Sequence, residues 1–218
     1  DQIGKAQVVI TEKNYNNEIG VPFTLLRINE KTKLVVCEMG MNHKSEISRL
    51  TAIARPTLTI VTNVGPCHIE NLGSIENIAR AKAEIIEGMP AGSKVFIPGD
   101  ILFKKVFQEK TKQFKVNIEF FSLKNNPDIQ IDRMLPEGFS LNVFGDKLMW
   151  NSPGEKILEN LSSVVAVARE LNFSKDQIKK GLLSYKAKDK RFVVEKGYYK
   201  VINDTYNANP DSMKSSLS

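Results

Sequence analysis

Two short loops hold the residues of this 218-residue chain that are best suited to chemistry on a phosphate. Glu38-Met-Gly-Met-Asn-His43 follows an apolar run and precedes a helical pattern, and Asn63-Val-Gly-Pro-Cys-His68-Ile-Glu70 takes the same place one unit later. In an open parallel sheet, ligands bind beyond the carboxyl ends of the strands, where helix N-termini and loop polar groups converge. Each loop therefore sets a potential metal ligand, Glu38 or His68, at a strand end, and the two could meet on one cation beside phosphate oxygens. Spacing alone leaves a second reading open, in which Glu38 and Asn42 cap the following helix and His68 only satisfies loop carbonyls.

A lysine gives a sharper signal. Ile75, Ile78, Lys82, Ile85 and Met89 recur at steps of three and four, so Lys82 lies on the apolar stripe of a helix. An unpaired buried ammonium is costly, so this lysine must snorkel to water, pair with an acid or lose its charge. The segment Asn14-Tyr-Asn-Asn-Glu-Ile-Gly20-Val-Pro22 packs three asparagines, Asn14, Asn16 and Asn17, into a loop closed by glycine and proline. Turn formation is the ordinary use of such a loop, as it is for Asn207 and Asn209 before Pro210.

The elements that must hold these residues alternate. Valine-rich runs at Gln7 to Thr11, Leu34 to Glu38 and Leu58 to Val64 have the pattern of strands buried on both faces, and Lys94 to Pro98 adds another. Helical patterns cover Ser45 to Ala54 and Ile75 to Met89. Strand and helix in alternation predict an α/β fold: a mainly parallel sheet flanked by helices. After about Phe114 the pattern changes to short segments at Ile118 to Leu123, Ile129 to Met134, Phe139 to Phe144 and Lys147 to Trp150, with a turn expected at Gly145-Asp146. These predict a small antiparallel β subregion. Helices follow at Lys156 to Leu171 and Ser174 to Tyr185, the second capped by Ser174, and strands at Phe192 to Glu195 and Tyr198 to Asn203.

Composition narrows the class. At 41% apolar and 26% charged the chain can bury a sizeable core. No apolar stretch approaches the roughly 20 residues that span a bilayer, and a cytoplasmic location is expected. Cys37 and Cys67 are too few for a disulfide framework and are expected as small buried apolar residues. The net charge of +6 raises the question of nucleic acid. The densest basic stretch, with Lys179, Lys180, Lys186, Lys188, Lys190 and Arg191, lacks the aromatic ladder that stacks bases, so no nucleic acid is expected.

Taken in order along the chain, the segments resemble the Mur ligase family. The residues that carry the resemblance are the asparagine loop through Leu26, the Glu38 to His43 and Asn63 to His68 loops, Ala79-Arg-Ala-Lys82-Ala-Glu84, and Asp204-Thr-Tyr-Asn-Ala-Asn-Pro-Asp-Ser-Met213. The resemblance implies a P-loop-NTPase-like central domain. It also implies ATP-dependent ligation through an acyl phosphate, joining D-alanyl-D-alanine to a UDP-N-acetylmuramoyl-tripeptide, by a monomer. Glu38 and His68 would bind magnesium, and Lys82, as a carbamate, would place a second magnesium, which accounts for a lysine on an apolar stripe. Asn160 would meet adenine, Arg191 the ATP phosphates and Asp204 the ribose or the domain junction. Asn14, Asn16 and Asn17 would lie on the side of the muramoyl peptide.

The family's Gly-x-x-Gly-Lys-Thr type loop has no counterpart here, and Lys156 and Ile157 stand where the family usually carries His-Asn. The expectation is therefore a fragment, with residues 1–199 as an ATP-binding central domain lacking its phosphate loop and 200–218 as the start of a truncated C-terminal domain. Another ligase of the same superfamily, of folylpolyglutamate type, and a nucleotide-binding module without turnover are the competing readings.

Overall fold

A computed structural model of the chain describes residues 7–124, 126–135, 138–151, 155–185, 193–196, 199–203, 205 and 213. The chain divides into two compact units, Asp1–Phe120 and Phe121–Ser218. The boundary expected at 199/200 lies inside the second unit, between two paired strands.

The first unit is the predicted alternation of strands and helices. Strand β1 (Val8–Ile10) leads through α1 (Gly20–Leu26) to β2 (Leu34–Val36), and the two strands pair in parallel with Val9 opposite Val35. Helix α2 (Glu46–Ala54) leads to β3 (Leu58–Ile60), and α3 (Ile69–Leu72) and α4 (Ile75–Ala83) lead to β4 (Lys94–Pro98), which pairs in parallel with β3. Helix α5 (Lys104–Phe114) then returns the chain to β5 (Asn117–Phe121), which lies beside β4 in the order β3-β4-β5. The segment at Ile118 to Leu123 thus joins the first unit's sheet and not the antiparallel region, because a helix precedes it where the sequence reading placed none.

Burial follows chemistry in the central sheet. Val95, Phe96 and Ile97 of β4 are fully buried, and Val95 and Ile97 share a core with Ile78, Ile86 and Phe107. The first two strands are different: Ile10 and Val36 are exposed, so β1 and β2 are not buried on both faces as their composition predicted.

Helix α4 stops at Ala83 and a 3-10 turn follows at Glu84–Ile86, short of the helix to Met89 that periodicity predicts. Close packing there explains the change. A Cβ on Gly88 would stand 2.3 Å from the backbone of Thr51, so this segment abuts α2 directly. Glu84 also reaches α2: its carboxylate accepts from the backbone N–H of Ser45 at 2.8 Å and of Ser48 at 3.3 Å. It supplies the cap that Ser45, in a left-handed conformation, does not make with its own side chain.

The second unit, within its described residues, holds an antiparallel sheet of β6 (Ile129–Leu135), β7 (Gly138–Val143) and β8 (Asp146–Trp150). The hairpin loop is Phe144-Gly145, one residue earlier than expected, and both residues take positive φ, the geometry a two-residue turn needs. Helices α6 (Glu155–Glu170) and α7 (Lys175–Leu183) share a core with this sheet through Leu158, Leu161, Val165, Ile178 and Leu182. Ser174 caps α7 in a full capping box with Gln177, as its position predicts. Strands β9 (Val193–Lys196) and β10 (Lys200–Asn203) form an antiparallel pair.

The Glu84 cap gives a stability prediction. Glu84→Ala removes the acceptor for two N–H groups at the start of α2 and is expected to cost about 1–2 kcal/mol in urea unfolding. Glu84→Gln, which keeps one acceptor oxygen, is expected to cost less. A loss no greater than that of an exposed surface substitution would contradict the cap.

Candidate functional site

The sites read from the sequence fall at the carboxyl ends of β2 and β3. After β2 the chain runs through Cys37 to Glu38, whose backbone N–H donates to Thr11 Oγ1 at 2.8 Å, just past the end of β1. The Glu38 carboxylate is exposed and Oε1 accepts from Asn16 Nδ2 at 2.8 Å. It does not cap α2: that role falls to Glu84, and the backbone N–H of Asn42 is taken by Glu46 Oε2 at 2.6 Å. The neighbouring His43 Nδ1 lies 3.0 Å from Glu46 Oε1, and the Asn42 N–H, followed by His43, holds the Glu46 carboxyl below the usual carboxylate range.

After β3 comes the loop that carries Asn63 and His68. His68 is exposed, takes a positive φ of 63° and opens the short helix α3, where its carbonyl accepts from Asn71 and Leu72 N–H. Its ring makes no side-chain cap to that helix. Lys82 is half-buried on α4, and its ammonium donates to the backbone oxygen of Asn63 at 2.7 Å and to Asn63 Oδ1 at 3.2 Å. Among the described residues the lysine meets no acid; it rests on the neutral oxygens of the loop after β3. Burial pushes its pKa below the ordinary lysine value of 10.5, and the proximity of Cys67 works in the opposite direction.

The asparagines divide their work. Asn17 Oδ1 accepts from the backbone N–H of Ile19 at 3.1 Å and of Gly20 at 2.9 Å, fixing the entry to α1. Asn14 is exposed and its carbonyl accepts from Asn16 N–H. Tyr15 and Asn17 also line a cavity of about 770 Å³ with Phe23, Leu26 and Arg27, a size that suits a small-molecule ligand.

In the second unit Asn160 is exposed on α6, and its carbonyl accepts from Ser163 Oγ at 2.7 Å. Arg191 and Asp204 lie outside the described residues, as do Asn207 and Asn209. Lys179, from the basic stretch, is already paired with Asp146 at 2.5 Å and Asp176 at 2.8 Å, which weakens that stretch as a phosphate track. Cys37 and Cys67 are free and only partly buried, less enclosed than expected.

The donor set suits magnesium better than a closed metal cage. Magnesium keeps waters and takes one or two carboxylates together with phosphate oxygens, and the exposed Glu38 carboxylate offers that type of ligand, with the exposed His68 imidazole as a further donor. Among the described residues no group of three or more His, Cys, Asp or Glu side chains could hold a metal by itself. Sequence reasoning did not pair Lys82 with Asn63, Glu38 with Asn16 or Glu84 with Ser45, since separations of 19, 22 and 39 residues carry no local signal.

The lowered lysine pKa sets a pH dependence. Between the folded and unfolded values the folded chain holds fewer protons than the unfolded one, so stability rises with pH through that window. The penalty of burying the Lys82 ammonium is thus full below the lowered folded-state pKa and is lost as pH rises toward the ordinary value of 10.5. Replacing Lys82 by Met should therefore shift stability most in favour of the variant at neutral pH, with the difference moving toward wild type as pH rises. Urea unfolding at several pH values checks this, and a difference that stays constant with pH would contradict it.

Residues 2–168 match the Mur ligase middle domain. The UDP-N-acetylmuramoyl-tripeptide–D-alanyl-D-alanine ligase of Bacillus subtilis (strain 168) is 32% identical over 212 residues, which covers 95% of this chain and 45% of that protein. Among solved structures, MurF from Acinetobacter baumannii is similar with a TM-score of 0.84 at 30% identity, over 97% of this chain and 48% of the other. MurF from Thermotoga maritima, in complex with ADP, gives a TM-score of 0.80 at 25% identity, over 98% of this chain and 50% of that one. The chain spans about half the length of the relatives it matches. With the middle-domain match running through most of its residues, on an α/β frame shared with solved relatives, the chain belongs to the Mur ligase family.

Proposed function

We propose that these residues are the central, nucleotide-handling part of a cytoplasmic, monomeric ligase. It uses ATP to add D-alanyl-D-alanine to UDP-N-acetylmuramoyl-tripeptide in the synthesis of peptidoglycan precursors. The observation that carries this reading is Lys82, a half-buried amine held on Asn63 oxygens at the carboxyl end of β3, in the same loop that carries His68. A lysine there is costly as a structural residue and useful as a reactive one. The relatives named above are ligases of this substrate class, and one was solved with ADP.

In the proposed reaction the carboxylate that ends the tripeptide attacks the γ-phosphorus of ATP, the bond to the bridging oxygen breaks and ADP leaves. The amine of D-alanyl-D-alanine then attacks the acyl phosphate carbon, the C–N bond forms, phosphate departs and the amine gives up a proton. Glu38 and His68 would hold magnesium, which supplies positive charge to the phosphate oxygens. Lys82 would act as a carbamate that helps place a second ion: its neutral amine adds to carbon dioxide, an N–C bond forms and a proton is released. Burial favours that step because it raises the share of neutral amine.

Asn160 would meet the adenine, Arg191 the ATP phosphates and Asp204 the ribose or the junction with the next domain. Asn14, Asn16 and Asn17 would face the muramoyl peptide, a placement supported by the cavity that Tyr15 and Asn17 line. Residues 1–199 would form the central domain and 200–218 the opening of the next.

The test uses the whole protein with UDP-muramoyl tripeptide, D-alanyl-D-alanine, ATP and magnesium. Wild type is expected to ligate and Lys82→Ala to lose most of that activity, with partial recovery on adding short carboxylic acids that stand in for the carbamate. Ligation of a different amine in place of D-alanyl-D-alanine would overturn the substrate assignment within the family. No use of ATP with any amine would overturn the catalytic reading in favour of a binding module.

A further inference from the structure

Glu38 is held at both ends. Its backbone N–H is fixed by Thr11 Oγ1 and its carboxylate Oε1 by Asn16 Nδ2, each at 2.8 Å. Oε2 makes no hydrogen bond among the described residues, so one carboxylate oxygen is oriented by protein and the other faces open space on an exposed side chain. Asn16 is itself fixed. Its carbonyl accepts from Gly40 N–H at 2.8 Å and its N–H donates to the Asn14 carbonyl at 2.8 Å. Gly40 completes the arrangement, because a Cβ there would lie 2.9 Å from Asn16 Cγ and Nδ2 and would push the amide off Glu38.

We propose that Asn16 is a positioning residue for Glu38: it turns the carboxylate so that Oε2 meets a divalent cation, and it ties the asparagine loop to that cation. The proposal rests on the assignment of Glu38 as a magnesium ligand made above. Ligating carboxylates are commonly hydrogen-bonded in this way, and loss of the orienting partner lowers metal affinity by about 10–100-fold. An amide suits the task because Nδ2 donates without adding charge, whereas an aspartate would repel Glu38. A residue of the loop proposed to face the precursor thereby sets the geometry of the ion, so that loop movement on the precursor side is felt at the metal.

The experiment titrates Mn²⁺ into the whole protein in the presence of ADP and follows the loss of the free-ion EPR signal. Four variants are compared: Asn16→Leu, Gly40→Ala, Glu38→Gln and the double variant Asn16→Leu/Glu38→Gln. Asn16→Leu and Gly40→Ala are each expected to weaken Mn²⁺ binding about tenfold at an unchanged melting temperature. Gly40→Ala displaces the amide without removing it and serves should the leucine variant fold poorly. The double variant is expected to bind no more weakly than Glu38→Gln alone, because Asn16 acts through that carboxylate. Wild-type affinity in both Asn16→Leu and Gly40→Ala, alongside a large loss in Glu38→Gln, would overturn the proposal and leave the metal assignment standing. Unchanged binding in Glu38→Gln would overturn the metal assignment itself, and the role of Asn16 with it.

Discussion

An ammonium group drawn into an apolar helix stripe has to find oxygen, and much of the first unit's arrangement follows from how Lys82 finds it. The stripe is set by Ile75 and Ile78, so the helix cannot rotate to bring the lysine into water without exposing Ile78, which is fully buried. The acceptors come from Asn63, through its backbone carbonyl and its side chain together. That contact pins α4 to the loop leaving β3. The helix then tightens into the 3-10 turn that carries Glu84, whose carboxylate holds the start of α2. One run of chain, Lys82 to Glu84, thus reaches both the loop after β3 and the helix that follows the Glu38 loop.

Beyond these links several of the residues proposed to be functional are exposed. Glu38, His68 and Asn14 stand in solvent at loops, while β4 supplies Val95, Phe96 and Ile97 as fully buried residues of the sheet. Rigidity below and polar groups above is the division of labour expected of a binding site on an open α/β sheet. Asn16 and Asn17 show how one short loop serves both ends: Asn17 starts a helix and Asn16 reaches Glu38. The sequence of Asn14 to Gly20 is therefore constrained by local backbone geometry and by long-range contact at once.

Much of this was legible in the residues themselves. The alternation of valine-rich runs with helical periodicity located all of β1 to β4 and the parallel order of two strand pairs, because burial on a pleated sheet leaves a strong compositional trace. Ser174 read directly as the N-cap of α7, to which the structure adds the reciprocal bond from Gln177. Helix α5 leaves little trace in the sequence because its charged surface, with Lys104, Lys105, Lys110 and Lys112 among its residues, hides the two buried positions Phe107 and Thr111. Without that helix the pattern does not separate β5 from the antiparallel strands that follow it. At the site, residue types and loop positions were readable, and Lys82 was visible as an anomaly of periodicity. The partners were not: Asn63, Asn16 and Glu84 reach across the fold, and only the path of the chain brings them to Lys82, Glu38 and Ser45.

The central claim is that the loops after β2 and β3, together with Lys82, form a nucleotide and metal centre. The most direct measurement is a crystal structure of the whole protein grown with ADP and Mn²⁺, with the metal located by anomalous scattering. The account predicts an anomalous peak in contact with Glu38 and His68, phosphate oxygens beside it, and density for a carboxylate extending from Lys82 Nζ. Manganese bound elsewhere, with Lys82 unmodified on Asn63 and the nucleotide remote from both loops, would contradict it.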